Sequence, residues 1–195
     1  MSSKNMDQQL FRDEDGNVKN MLTEIEGISF RDSPIDFFIL LARYKFAARL
    51  IRKNQIVIDV GCGKGYGSVF LSQYAKNVIA VDQDESLILQ NSLEHSNKKI
   101  KFETMDLLKP QEKFISKYDV VVSMDVIEHF QKKDIPKAVE NYSNLLKEDG
   151  FAIIGTPNIA SRKFASQRRI NTHPFEFNSD EFEKTLKNSF KNVFL

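Results

Sequence analysis

From residue 56 onward the chain alternates between short apolar runs and longer stretches with helical spacing. The runs are Ile56-Val57-Ile58-Asp59-Val60, Asn77-Val78-Ile79-Ala80-Val81-Asp82, Ile100-Lys101-Phe102-Glu103-Thr104-Met105-Asp106, Tyr118-Asp119-Val120-Val121-Val122-Ser123-Met124-Asp125 and Phe151-Ala152-Ile153-Ile154-Gly155. Runs of this length, bounded by Gly, Asp and Asn, read as strands buried on both faces. Between them the spacing predicts helices from Ser68 to about residue 76, over 85–96, and over 135–146 with Gly150 as the stop signal. Upstream, Ser33 as cap, Pro34 at the first helical position and Asp36 three residues on start a helix running to about Arg52. Its apolar positions are Phe37, Phe38, Leu40, Leu41, Tyr44, Ala47, Ala48 and Ile51. Downstream, Ser179-Asp180 caps a helix to about Asn188, and residues 192–195 begin a sixth strand. The alternation predicts an α/β fold with a doubly wound, mostly parallel sheet.

Residues 1–30 are polar and mixed in charge, with a turn at Asp13-Glu14-Asp15-Gly16-Asn17, and read as a flexible arm, either a disordered leader or a lid. Residues 31–195 form one domain. Lys and Arg total 28 against 27 acids, a net charge of +1, which argues against an overall nucleic-acid or membrane footprint. Cys62 is the one cysteine, so no intramolecular disulfide forms, and no targeting or membrane-spanning run is read. The expectation is a cytoplasmic enzyme acting on a small molecule. Residues 159–172 carry Arg162, Lys163, Arg168 and Arg169 with no matching acids; this is either a solvated face or a patch for a phosphate-bearing substrate.

The chemistry centres on Asp59-Val60-Gly61-Cys62-Gly63-Lys64-Gly65-Tyr66-Gly67. Strand, glycine turn and helix start in succession describe a nucleotide-type binding loop, with glycine where the backbone turns left-handed or a ligand comes close. The dinucleotide fingerprint needs glycine where Tyr66 stands, and the Walker loop needs Gly-Lys-Ser/Thr; both fail. An acid two residues before the first glycine repels pyrophosphate and suits a cationic ligand such as a sulfonium-bearing amino acid. Cys62 fits as a small turn residue rather than as a nucleophile. Asp82, a little over twenty residues on, stands where doubly wound folds place an acid on ribose hydroxyls.

These features, from Arg43 to Leu195, resemble the class I S-adenosylmethionine-dependent methyltransferases. More narrowly, Asp125-Val-Ile-Glu128-His129, Thr156-Pro157-Asn158 and His173-Pro-Phe-Glu-Phe look like a bacterial subgroup of ubiquinone-biosynthesis-type O-methyltransferases and enzymes associated with cell-surface sugars. The resemblance implies a Rossmann-like fold and a cofactor site of Asp59, Gly61, Cys62, Gly63, Gly65, Tyr66, Asp82, Gln83, Met105, Asp106, Leu107, Ser123 and Met124. Asp106 would accept from the adenine amine. Arg43 and Tyr44 would reach the cofactor carboxylate, although surface charge and core packing explain them equally.

The implied reaction is methyl transfer from S-adenosylmethionine to an oxygen of a sugar or polysaccharide precursor, leaving S-adenosylhomocysteine. Asp125, Glu128, His129 and His173 are the catalytic candidates, with His129 the first choice as base. Two alternatives stand beside it. The same four residues resemble the metal site of small-RNA 3′-terminal 2′-O-methyltransferases and would suit Mg, Mn or Zn. A non-catalytic module that senses S-adenosylmethionine is the other. The family's sheet ends in an antiparallel seventh strand that this sequence lacks, which suggests truncation and an exposed sheet edge.

Overall fold

A computed structural model describes residues 24–25, 28–29, 34–95 and 97–195, with side chains from residue 38 onward except at 168. The expected turn at 13–17 and the Ser33–Asp36 capping box lie outside the described residues and side chains. The chain divides into two units, one up to Phe38 and one from Ile39. In the first, β1 (Glu24–Ile25) and β2 (Ile28–Ser29) pair antiparallel, Glu24 opposite Ser29 and Ile25 opposite Ile28.

The second unit holds a five-stranded sheet of β3 (Ile56–Val60), β4 (Asn77–Asp82), β5 (Ile100–Thr104), β6 (Tyr118–Met124) and β7 (Leu146–Gly155). The order is β5-β4-β3-β6-β7 and every neighbouring pair is parallel. This is a Rossmann-like sheet, as expected. The three central strands are apolar runs because both faces are covered: Val57, Ile58, Val78, Val81, Val120, Val121 and Val122 are all fully buried. From β3 the chain moves outward one way to β4 and β5, then returns to add β6 and β7 on the other side. The carboxyl ends of β3 and β6 therefore flank the point where the winding reverses, the crevice in which open α/β sheets bind ligands.

Helices α1 (Pro34–Leu50), α2 (Tyr66–Leu71), α3 (Glu85–Glu94), α4 (Ile135–Leu145), α5 (Gln167–Thr172) and α6 (Ser179–Leu186) connect and follow the strands. In α4, Ile135, Ala138, Val139, Tyr142 and Leu145 recur at helical spacing and are buried in the main core cluster. Asp84 caps α3 by accepting from the backbone N–H groups of Ser86 and Leu87. Asn178, one residue before the expected Ser179, caps α6 through the N–H of Glu181.

Several elements depart from expectation. Phe38, counted with the core face of α1, is 59% exposed, whereas Leu40, Tyr44, Ala47, Ala48 and Ile51 are buried. One stripe of a helix alone can face the core. Gly150 does not stop α4 with a left-handed residue; among the described residues the positive-φ glycines are Gly61, Gly63 and Gly65. The helix ends at Leu145, and Leu146 already pairs with Tyr118 of β6. The register then shifts so that Phe151 meets Val120, and Gly150 fits a tight spot there, where a Cβ would stand 3.1 Å from the Asp119 carbonyl oxygen. Residues 192–195 form no strand. Among the described residues β7 is a sheet edge, with no further strand paired beside it.

Candidate active site

The turn after β3 is built by three left-handed glycines, with φ of 73° at Gly61, 50° at Gly63 and 77° at Gly65. A side chain at Gly61 would strike Val126, and one at Gly65 would meet Phe102 and His95. The turn is tied to β4: Gly61 N–H and Cys62 N–H both donate to the Val81 carbonyl, at 2.8 and 3.0 Å. Cys62 is buried beneath it, with the Asn91 amide 4.0 Å from its sulfur and donating to the Gly63 carbonyl at 2.7 Å. Tyr66 begins α2 and lies edge-on to His95, whose Nε2 is 3.1 Å from the Lys64 carbonyl oxygen.

Asp59 lies under this turn, fully buried. Its carboxyl accepts from Ser68 Oγ at 2.6 Å and from Tyr44 Oη at 3.4 Å. Burial raises its pKa to about 7 despite those hydrogen bonds, with the nearby Asp82 charge adding to the rise. Asp82, at the carboxyl end of β4, accepts from Gly63 N–H and Asp84 N–H, each at 3.0 Å. Gln83 beside it is exposed.

After β5, Met105 and Leu107 are buried, and Asp106 accepts from the Leu108 N–H at 2.8 Å. At the end of β6, Ser123 and Met124 face the interior. Ser123 Oγ lies 2.7 Å from Tyr142 Oη and donates to the Val60 carbonyl at 3.2 Å.

Asp125 turns out of β6 in the left-handed region, φ 56°, and pairs with Arg43 of α1. One of its carboxylate oxygens is buried without a partner, and burial raises its pKa against the pull of Arg43. Glu128 is fully buried on the short 3₁₀ turn Ile127–His129. Thr156 Oγ1 donates to one of its oxygens at 3.0 Å, and the other is buried without a partner. Burial, then the neighbouring Asp125 charge, raise its pKa to about 8.

The chain after β7 brings the imidazoles together. His129 Nδ1 is 2.9 Å from the Thr172 carbonyl oxygen, and the His129 and His173 rings meet edge to face at 4.8 Å and 90°. One donor atom each from Glu128, His129 and His173 lies within 4.8 Å of the others. His173 Nδ1 is 3.0 Å from Glu176, which also accepts from Arg169 at 2.9 and 3.2 Å. Burial lowers the His173 pKa; Glu176, despite its own burial, is held below the usual carboxylate range by hydrogen bonds from Arg169 and His173.

The structure brings Glu128, His129 and His173 together, with Asp125 near enough for its charge to raise the Glu128 pKa. It corrects the basic loop: Arg169 is paired with Glu176, and Arg162 lies 3.7 Å from the same carboxylate. Glu176, Arg169, Thr156 and His95 are additional polar groups of this region. Glu176 had a visible signal, standing three residues after His173.

This geometry defines an α/β fold with an acid and imidazole cluster beside the glycine turn at the carboxyl edge of its parallel sheet. The chain matches the Methyltransf_23 methyltransferase domain over residues 37–189, and it belongs to that family. A probable S-adenosylmethionine-dependent methyltransferase of Mycobacterium tuberculosis is 30% identical over 133 residues, which cover 67% of this chain and 46% of the relative. A ubiquinone biosynthesis O-methyltransferase of Pelagibacter ubique is 29% identical over 110 residues, covering 54% of this chain and 43% of that one. The chain spans about half the length of the curated relatives it matches. Among solved structures, the N-methyltransferase NodS of Bradyrhizobium japonicum, in complex with S-adenosylhomocysteine, superimposes with a TM-score of 0.67 at 15% identity, over 87% of this chain and 82% of that one. No described helix is long and apolar enough to cross a membrane.

Proposed function

We propose that this chain is an S-adenosylmethionine-dependent methyltransferase domain acting on an oxygen of a small molecule, a sugar or cell-surface polysaccharide precursor. One observation carries the reading: the glycine turn abuts Val126, so the cofactor loop and the Asp125 to His129 cluster form one continuous edge. The residues fit the cofactor. Glycine at 61 and 65 lets the turn take left-handed backbone and pack directly against Val126 and against Phe102 and His95. Asp82 accepts one backbone N–H on each oxygen, which leaves a lone pair on each for a ribose hydroxyl. Asp106 at the end of β5 would take the adenine amine, with Met105 and Leu107 packed beneath. Relatives named as O-methyltransferases support an oxygen acceptor.

When bound, the cofactor supplies an electrophilic sulfonium methyl. The chain's own residues orient the acceptor and take its proton. His129 and His173 suit that task, since a neutral imidazole offers a lone-pair nitrogen, and burial favours the neutral, proton-accepting form of His173. Holding the hydroxyl in attack geometry supplies much of the acceleration. The test is transfer of a labelled methyl to a panel of nucleotide sugars. Transfer to one of them, reduced about 100-fold or more by His129→Ala or His173→Ala, is the expected result; transfer to none, or to an amine alone, overturns it.

A second reading is favoured by the convergence of Glu128, His129 and His173, a carboxylate and two imidazoles that would hold a divalent ion against the acceptor oxygen. Loss of activity in chelator, restored by one divalent ion, supports it. Full activity in chelator excludes it.

A further inference from the structure

We infer that Glu176, clamped by Arg169, is a positioning residue that fixes the proton of His173 on Nδ1 and leaves Nε2 as the lone-pair atom of the ring. The inference rests on the reading of His129 and His173 as working imidazoles of the site. The partners decide the tautomer. An ionised carboxylate only accepts, so the His173 Nδ1 that lies 3.0 Å from Glu176 must carry the proton. Glu176 is fully enclosed and takes both a nitrogen and a terminal amino group of the Arg169 guanidinium, a two-point grip that holds its plane. Arg169 is itself placed by a further bond to Ser161 Oγ at 2.8 Å.

The neighbouring ring obeys the same rule. A backbone carbonyl also only accepts, so His129 Nδ1, 2.9 Å from the Thr172 oxygen, carries its proton too. Thr172 ends α5 and His173 follows it, so one short segment sets both rings. The Arg169–Glu176 pair seats that segment. Arg169 therefore serves His173 through Glu176, and Arg162 lies 3.7 Å from the same carboxylate. A neutral histidine in water prefers its proton on Nε2, so the protein must impose the opposite form at both positions, and Glu176 is the side chain that does so at His173.

The chain has three histidines, which makes the test direct. Imidazole-¹⁵N-labelled protein is examined by NMR without cofactor or acceptor. In the wild type, His129 and His173 are expected to show Nδ1-bound protons. His95, whose Nε2 faces the Lys64 carbonyl at 3.1 Å, is expected to show the opposite form and reports folding. In Glu176→Ala and Glu176→Leu, which leave no acceptor at this position, the His173 proton is expected to move to Nε2 while His95 stays unchanged. Where the alanine variant loses the His95 signal, the leucine variant, closer to glutamate in volume, decides. S-adenosylmethionine affinity by calorimetry is expected to be unaltered, because Glu176 lies outside the proposed cofactor residues. An Nε2-bound proton on His173 in the wild type, an unchanged His173 spectrum in a variant that keeps the His95 signal, or a loss of cofactor affinity in that variant overturns the inference. Because the spectrum needs no acceptor, a base reading that fails in the transfer assay leaves this result independently legible.

Discussion

The Tyr44 ring occupies the space in front of the Gly67 Cα, so that a Cβ at 67 would run into its ring carbons. Helix α1 is thereby locked against the first turn of α2, and the same tyrosine reaches Asp59 under the glycine turn. Tyr44 is buried and has little room to retreat. Gly67→Ala is expected to cost about 1–3 kcal/mol, the usual range for overpacking. The urea midpoint should fall with the slope unchanged. Adding Tyr44→Leu should recover part of the loss, and a strictly additive double variant would show that the two residues do not couple.

Asp82 connects two functions that one carboxylate serves at once, holding the Gly63 and Asp84 N–H groups and facing the proposed ribose position. Asp82→Ala removes charge-assisted acceptors, each worth about 1.5–3 kcal/mol. S-adenosylmethionine affinity in calorimetry should drop by a factor on the order of 10–100. An unchanged affinity would reject the cofactor assignment.

The Arg43–Asp125 pair joins α1 to the strained residue at the end of β6. Arg43 is partly exposed, so solvent screens its charge, but the Asp125 carboxylate is mostly buried and already has one oxygen without a partner. Arg43→Met should therefore destabilise by about 1–3 kcal/mol. Asp125→Asn combined with it should restore most of that loss, as read from thermal or urea unfolding.

The central strands were legible because a parallel sheet covered on both faces demands unbroken apolar runs, and Val120, Val121 and Val122 supply one. The glycine turn was legible because left-handed backbone at 61, 63 and 65 leaves glycine as the fitting residue. Element ends were harder. The close of α4 depends on Leu146 pairing with Tyr118, a contact between distant residues that local stop signals do not report. The same distance hid the fate of the basic loop, since Glu176 reaches Arg169 only after α5 and the turn behind it bring them together. Asp59 shows a further limit. Its place before the glycines marked it as important, but its enclosure by Ser68 and Tyr44 depends on α1 and α2 packing from opposite ends of the motif.

That enclosure gives stability a distinctive pH dependence. With a pKa of about 7 in the folded protein and 3.8 as the ordinary value, Asp59 keeps its proton on folding across the interval between them. The folded state then binds more protons than the unfolded one, so this group's contribution falls as pH rises from about 4 to 7 and is level outside that window. The whole swing is roughly 4 kcal/mol if the unfolded value is ordinary. Other carboxyls, among them Glu103, Asp119 and Glu176, are shifted downward and pull the opposite way. The comparison that isolates Asp59 is therefore between wild type and Asp59→Asn, which keeps the shape and cannot ionise. At about pH 4 the two should unfold at similar urea concentrations. As pH rises the asparagine variant should become the more stable, by an increment that grows from about pH 4 to about pH 7 and then stops. Parallel stability curves across that range would show that Asp59 ionises as freely in the folded chain as in the unfolded one.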